Sequence, residues 1–217
     1  MKLAKFRGLV KHCNRCVVVH VKNNGIWLGT QYGLYRAEEL PELESKEEVA
    51  AVLDFGTKDL KKIMIEERDA TGREDVLGMD LRDGATYDIR TSRAEVAAVV
   101  DGKFANMLVC DDDELVFYDP ALLAPVADVL KEREYAEIVV RKMRSGSRYI
   151  VVRDGYNVLA GIMPMNIITK EYLAALADYK ARCTAQYSRN NGLMVDGPDD
   201  LGADEEQIEM EDGLNDD

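Results

Sequence analysis

The sequence predicts an α+β fold with antiparallel sheets, built from β-α-β-β-β units and followed by an extra C-terminal helix. In residues 114–167, strand-forming runs rich in Val, Ile and Tyr alternate with short turns that contain Gly or Ser. Asp119 and Pro120 mark a helix start, and apolar residues then recur at helical spacing up to Leu130. After Thr169 the spacing becomes helical again along an Ala-rich segment.

The sequence of the N-terminal region, residues 1–45, predicts one helix followed by a hairpin of two strands. Residues 2–12 form the helix, whose apolar face is Leu3, Phe6, Leu9 and Val10 and whose basic residues are Lys2, Lys5, Arg7 and Lys11. Strands are predicted over residues 16–21 and 26–30, because the Asn-Gly pair between them is a strong hairpin signal. The second strand is predicted to continue through residues 32–36, with a bend or bulge marked by Gly29 and Gly33.

The middle of the chain, residues 48–105, predicts a second β-α-β-β-β unit. Residues 49–55 are predicted as a strand, and Thr57 is predicted to cap a helix over residues 58–67. The strands expected after that helix are residues 76–81, 86–91 and 94–100. The third unit spans residues 107–167, with strands at 115–118, 136–143, 149–153 and 157–163.

Charge is distributed unevenly along the chain. Residues 196–217 contain 11 of the 41 acidic residues and no Lys or Arg, which leaves 30 acids against 28 bases elsewhere. Such a segment repels itself and has little to bury, so we expect residues 191–217 to be a disordered acidic tail. The rest is predicted to divide into an N-terminal α+β domain, residues 1–105, and a C-terminal half-domain plus helix, residues 106–190.

Hydropathy and cysteine usage narrow the class of protein. No apolar run reaches the length of about 18 residues that a membrane helix needs, and no secretory leader is recognisable, so we expect a cytoplasmic protein without membrane contact. Cys13 and Cys16 form half of a zinc motif, but a second close pair is missing, so reduced thiols beside a core strand are favoured. No metal or other cofactor is expected.

Catalytic residues are not indicated. The two histidines, His12 and His20, lie in one N-terminal stretch without a serine nearby, so no nucleophile–base pair is suggested. Three consecutive acids at residues 111–113 point in different directions and are better explained by a turn than by a calcium loop. We therefore expect a protein that is not an enzyme.

Residues 114–167 end on Gly161-Ile162-Met163-Pro164-Met165-Asn166-Ile167. This order of elements, closed by Met-Pro-Met, resembles the last half-domain of the β-type sliding clamp, the ring-shaped processivity factor of bacterial replicative DNA polymerases. The resemblance implies clamp-like modules and a non-catalytic replication accessory factor. It also implies a homo-oligomer whose partners are double-stranded DNA and replication or phage proteins. Asn166 stands where the family usually carries Arg.

Two groups of bases are candidates for contact with DNA. Because clamps line their pore with helices, the resemblance implies Lys58, Lys61 and Lys62. A second group lies on a predicted hairpin and comprises Arg141, Lys142, Arg144 and Arg148. A charged hairpin tip that keeps a sheet edge from pairing with neighbours explains this second group equally well. A third possibility is that the acidic tail binds the basic side chains of this hairpin and competes with DNA for them.

Met163, Pro164 and Met165 are the candidate partner-binding residues. The resemblance implies that they border the apolar pocket in which clamps bind short peptides from polymerases and other replication enzymes. Methionine suits such a pocket because its unbranched side chain repacks around different partners. Ordinary core packing at a strand end is the alternative.

Two other functions stay open at this point. One is a structural or adaptor protein of a phage or mobile element, whose acidic tail recruits a partner. The other is single-stranded DNA binding, which requires an exposed row of aromatic side chains for base stacking. Trp27, Tyr32 and Tyr35 are the candidates for such a row.

Overall fold

The computed structural model describes residues 1–22, 25–37, 40–41, 43–73, 76–84, 87–100, 102–143 and 145–192, with backbone only at 95–97 and 100. The chain divides into two compact units, Met1–Ile167 and Ile168–Asp217. Most of the predicted acidic tail, from residue 193 on, lies outside the described residues.

The described residues in the first half of the larger unit form three helices and four strands. These are α1 (Leu3–Cys13), β1 (Arg15–Val21), β2 (Gly25–Gly29), β3 (Gly33–Ala37), α2 (Lys46–Val52), α3 (Thr57–Leu60) and β4 (Met64–Ala70). The second half contains β5 (Ile89–Val100), β6 (Lys103–Cys110), β7 (Leu115–Tyr118), a 3₁₀ helix (Pro120–Leu123), α4 (Ala127–Glu132), β8 (Ala136–Lys142), β9 (Arg148–Asp154) and β10 (Asn157–Ile162). The second unit contains α5 (Lys170–Asn190).

The described strands form one sheet in the order β4-β1-β2-β3-β10-β9-β8-β5-β6-β7. Its centre consists of two three-stranded meanders, β1-β2-β3 and β8-β9-β10, joined by the antiparallel pair β3/β10. A helix precedes each meander, α1 in the first and α4 in the second. The α+β class and the C-terminal helix are confirmed. The antiparallel sheets are corrected to a single mixed sheet, because β4 runs parallel to β1.

Both faces of the sheet are buried, which explains why β1 is almost continuously apolar. Cys16 and Val18 face one core together with Phe6 of α1 and Val49 of α2. The opposite face packs against a short segment before β5, whose buried residues are Val76, Met79 and Leu81. The core that contains Cys16 and Phe6 also contains residues of β6 and β7. The β6–β7 end of the sheet therefore curls over the face that α1 and α2 cover.

The prediction of a β-α-β-β-β unit over residues 48–105 is wrong. Residues 49–55 were expected as a strand but belong largely to α2, which Ser45 caps by accepting a hydrogen bond from the Glu48 N–H at 3.3 Å. The predicted helix 58–67 is only the short α3, and from Met64 the chain is β4. Residues 76–81 make an isolated bridge instead of a strand, and the next two predicted strands are joined in β5.

The predicted order of elements is confirmed in residues 114–167, except that the helix is split. Asp119 caps the 3₁₀ helix by accepting a hydrogen bond from the Ala121 N–H at 2.8 Å. Thr169 likewise caps α5 by accepting a hydrogen bond from the Tyr172 N–H at 3.2 Å. The position between residues 105 and 106, where the sequence placed a domain boundary, lies inside β6.

Candidate functional site

Five exposed lysines lie on α1 and on the segment that begins with α3. Phe6, Leu9 and Val10 of α1 are buried in the core, and this orientation turns the lysines of the opposite face towards solvent. We call the set Lys5, Lys11, Lys58, Lys61 and Lys62 the α1–α3 basic surface; all five residues are exposed.

Tertiary contacts hold the two segments of this surface together. Lys11 Nζ lies 2.8 Å from Asp59 Oδ2, and Arg7 forms a second ion pair with Asp54. The hydrogen bond from Lys11 and the one from the Gly56 N–H hold the pKa of Asp59 below its usual range. Asp59 therefore stays ionised at neutral pH and fixes α3 beside the C-terminal turns of α1.

The electrostatic balance of this surface is strongly positive. Residues 2–12 and 57–62 together contain seven Lys or Arg and one acid, Asp59. Within the described part of the chain, Lys5, Lys58, Lys61 and Lys62 make no ion pair. Mobile ammonium groups of this kind neutralise phosphates without reading bases, so the surface suits a nucleic-acid backbone.

The structure places Arg141 in the interior. Its side chain is 0% exposed, and its Nε lies 2.5 Å from Oδ1 of Asp88, which is 5% exposed. One terminal nitrogen also donates to the carbonyl oxygens of Asp80 and Arg82, at 2.6 and 3.1 Å. Arg141 therefore anchors the connection before β5, where a phosphate does not reach it.

The remaining hairpin bases do not form one free patch. Arg148 is 10% exposed and is bound by Asp112 at 2.8 Å and by Glu114 at 2.6 Å. Lys142 is exposed at the end of β8. Arg144 lies outside the described residues. The pairing of Arg148 means that this arginine chiefly ties the turn after β6 to the start of β9.

This tie predicts a pH dependence of stability. The hydrogen bond from Arg148 holds the pKa of Asp112 below its usual range, so the folded value is lower than the unfolded one. The ion pair stabilises the fold fully when the pH is above the ordinary pKa of an aspartate. This stabilisation is lost as the pH falls through the pKa of Asp112 in the folded protein. In urea titrations at pH 7, Asp112→Asn should have a lower free energy of unfolding than the wild type. In acid, the two free energies should become equal. If the difference in unfolding free energy between the two proteins stayed constant into acid, the Asp112–Arg148 ion pair would not be its source.

Met163, Pro164 and Met165 follow β10 and lie between the β2–β3 turn and the edge strand β7. The Met163 N–H donates to the Tyr32 carbonyl at 2.8 Å, and the Met165 N–H donates to the Phe117 carbonyl of β7 at 2.7 Å. All three side chains are partly buried. Met163 also lines an open cavity of about 250 Å³, whose other walls include Leu34, Met79 and two arginines, Arg15 and Arg68.

The cysteine pair consists of one buried thiol, Cys16, and one half-buried thiol, Cys13. Cys16 faces the core, and burial raises the pKa of its thiol to about 12. Burial also raises the pKa of Cys13. Across the described ranges, no three His, Cys, Asp or Glu side chains are grouped closely enough to hold a metal ion.

Thiol reactivity tests this arrangement. We expect iodoacetamide to label Cys183 quickly in the native protein, because its side chain is exposed. Cys16 should react only after unfolding, since its thiol is buried and stays protonated. Mass spectrometry of peptides after timed labelling would show the order, with Cys183→Ala as the control. Equal native labelling of Cys16 and Cys183 would contradict the buried position of Cys16.

The aromatic row required for stacking single-stranded DNA is not on the surface. Trp27 and Tyr35 are both 0% exposed, and Tyr32 is 48% exposed. The hydroxyl of Tyr35 donates to the Leu122 carbonyl at 2.6 Å, which assigns this residue to the core. One exposed ring does not make a stacking platform.

No protein-family model, curated protein or solved structure matches this chain. None of the described helices is long and apolar enough to cross a membrane. Sequence reasoning assigned Lys58, Lys61 and Lys62 to a DNA surface but did not include Lys5 and Lys11. The signal for these two residues was present, since both lie on the polar side of the predicted N-terminal helix.

Proposed function

We propose that this chain is a non-catalytic accessory factor of the sliding-clamp type, which holds duplex DNA against its α1–α3 basic surface. The observation that carries the proposal is a set of five exposed lysines on two separate segments, which the Lys11–Asp59 ion pair holds together. A clamp needs contacts of this kind, because it must hold the phosphate backbone without preferring a sequence.

The arrangement of the sheet supports clamp-like modules. Helix α1 with β1-β2-β3 and helix α4 with β8-β9-β10 repeat the same order, and β3 and β10 pair antiparallel between them. Two units joined in this way are related by an approximate two-fold axis. The proposal therefore treats α1-β1-β2-β3 and α4-β8-β9-β10 as the two clamp-like modules, the second of which ends at Met-Pro-Met.

Protein partners are assigned to the cavity beside Met163. Its apolar walls, which include Leu34, Met79 and Met163, accept a hydrophobic side chain. Replication proteins of the host or of a phage are the partners that a clamp-type factor would hold near DNA.

Fluorescence anisotropy with a labelled duplex of about 20 base pairs tests the DNA proposal. We expect the full-length chain to bind the duplex at low salt and to bind unrelated sequences equally well. Absence of saturable binding at low salt, together with no stimulation of a polymerase, would refute the proposal.

A second candidate function is an adaptor protein of a phage or mobile element. The observation in its favour is α5, whose large apolar residues Leu173, Leu176, Tyr179 and Tyr187 are exposed. Deletion of residues 196–217 separates the two functions. Loss of one specific protein contact supports the adaptor, whereas tighter duplex binding supports an acidic tail that competes with DNA for the basic surface.

A further inference from the structure

A cleft opens where strand β8 parts from strand β5. Among the described residues the two strands form two residue pairs, the last of which joins Arg90 to Val139. The Thr91 hydroxyl still donates to the Ile138 carbonyl at 2.7 Å, and beyond this contact the strands separate. The 3₁₀ helix and α4 form the remaining walls, so the split encloses an open cavity of about 460 Å³, which we call the β5–β8 cleft.

The β5–β8 cleft is lined chiefly by apolar side chains. They come from β6, the 3₁₀ helix, α4 and β8, and they include Leu108, Leu123, Ala127, Leu130 and Ile138. Small-molecule sites have volumes of about 300–1,000 Å³ and combine apolar walls with a few polar groups that fix the orientation of the ligand. The cleft therefore has the size and the walls of a site for a small organic molecule.

Two buried polar side chains supply such orienting groups. Asn106 and Tyr118 both line the cleft and are 7% and 1% exposed. Asn106 Nδ2 donates to the Tyr118 hydroxyl at 3.4 Å, and within the described residues neither side chain makes another hydrogen bond. The amide oxygen of Asn106 thus remains as an acceptor, and the hydroxyl proton of Tyr118 remains as a donor. Because an unmade hydrogen bond at a buried group is costly, these two groups favour a polar ligand atom beside them.

The charge at the cleft indicates the sign of the ligand. Arg93 of β5 and Lys131 of α4 line the cleft, are exposed and make no ion pair within the part of the chain that the structure describes. The acid in the described lining is Glu137, which accepts from Arg153 at 2.9 and 2.7 Å and is neutralised by it. Two available cations from separate elements favour an anion.

We propose that the β5–β8 cleft binds a small organic anion, an aryl or alkyl carboxylate. Its apolar body packs among Leu108, Leu123 and Leu130. Arg93 and Lys131 neutralise its carboxylate. The inference does not depend on DNA binding, because the cleft shares no residue with the α1–α3 basic surface.

Fluorescence titration with anilinonaphthalene sulfonate tests the site, since this probe carries one anionic group on an aromatic body. Phenylnaphthylamine is the matched neutral probe. We expect the full-length native chain to bind the anionic probe saturably. Arg93→Gln combined with Lys131→Gln should weaken this binding about tenfold and leave the affinity for the neutral probe unchanged. Lys103→Gln combined with Lys142→Gln is the control, because it removes the same charge at exposed positions outside the cleft.

Two further measurements separate the apolar part of the site from its charge. Ala127→Trp fills the cleft and should abolish the binding of both probes, with the thermal unfolding midpoint as the check on its fold. Phenylacetate should displace the anionic probe from the wild type, whereas equal concentrations of acetate and of phenylethanol should not, because each lacks one half of the ligand. If the Arg93 and Lys131 variant bound the anionic probe as the wild type does, or if phenylacetate displaced it no better than acetate, the proposal would be overturned.

Discussion

The Arg141→Met variant is expected to lose about 3–5 kcal/mol of unfolding free energy, because it leaves the buried Asp88 carboxylate without its main partner. The loss has two sources. Asp88 would keep Arg153, 2.7 Å away, but would no longer have the fully buried guanidinium beside it. The carbonyl groups of Asp80 and Arg82 would also lose their hydrogen-bond donor.

Urea denaturation of the full-length chain measures this loss. Lys142→Met is the matched control, because residue 142 is next along β8 and its side chain is exposed. We expect the control to change stability by less than about 1 kcal/mol. If Arg141→Met were as stable as Lys142→Met, the buried ion pair would not be the anchor of residues 80–88.

Reversing two charges on the α1–α3 basic surface is expected to weaken duplex binding about 100-fold at low salt, because each reversal removes a phosphate contact and adds repulsion. The variant is Lys5→Glu combined with Lys61→Glu, which takes one residue from each segment. Both lysines are exposed, so the fold should be unaffected. Fluorescence anisotropy with the labelled duplex gives the change in affinity.

The control for this variant has the same net charge. Lys22→Glu combined with Lys103→Glu changes two exposed lysines that lie outside α1 and α3, and it should change affinity only slightly. Lys142→Glu examines the alternative surface on the hairpin. Equal weakening by the two double variants would indicate a general charge effect and would remove the basic surface as the DNA site.

The strands of residues 114–167 were predictable because each has a local signal. Apolar runs alternate with turn residues, and Asp119-Pro120 starts a helix within a few residues of β7. Helix α2 was missed although a capping signal was present. Ser45 Oγ accepts from the Glu48 N–H at 3.3 Å, and Glu48 Oε2 accepts from the N–H of Glu44, the residue before the cap, at 2.8 Å. The apolar run after it fits a strand as well as a helix.

The candidate site depends on contacts that local patterns do not contain. The basic face of α1 was visible in the sequence, but its neighbour, residues 58–62, arrives there because β4 pairs parallel with β1. The Met64 N–H donates to the Asn14 carbonyl at 3.0 Å and so fixes the turn beside the end of α1. Arg141 and Asp88 are 53 residues apart, and no local signal distinguishes that acid from others on the surface.

The salt dependence of duplex affinity tests the central claim most directly, since it counts the phosphates that the protein neutralises. With five lysines in contact, the slope of log affinity against log salt concentration should be about −4.5, and Lys5→Glu with Lys61→Glu should make it clearly shallower. A wild-type slope near zero, or a slope that this variant leaves unchanged, would contradict a phosphate-binding surface on α1 and α3.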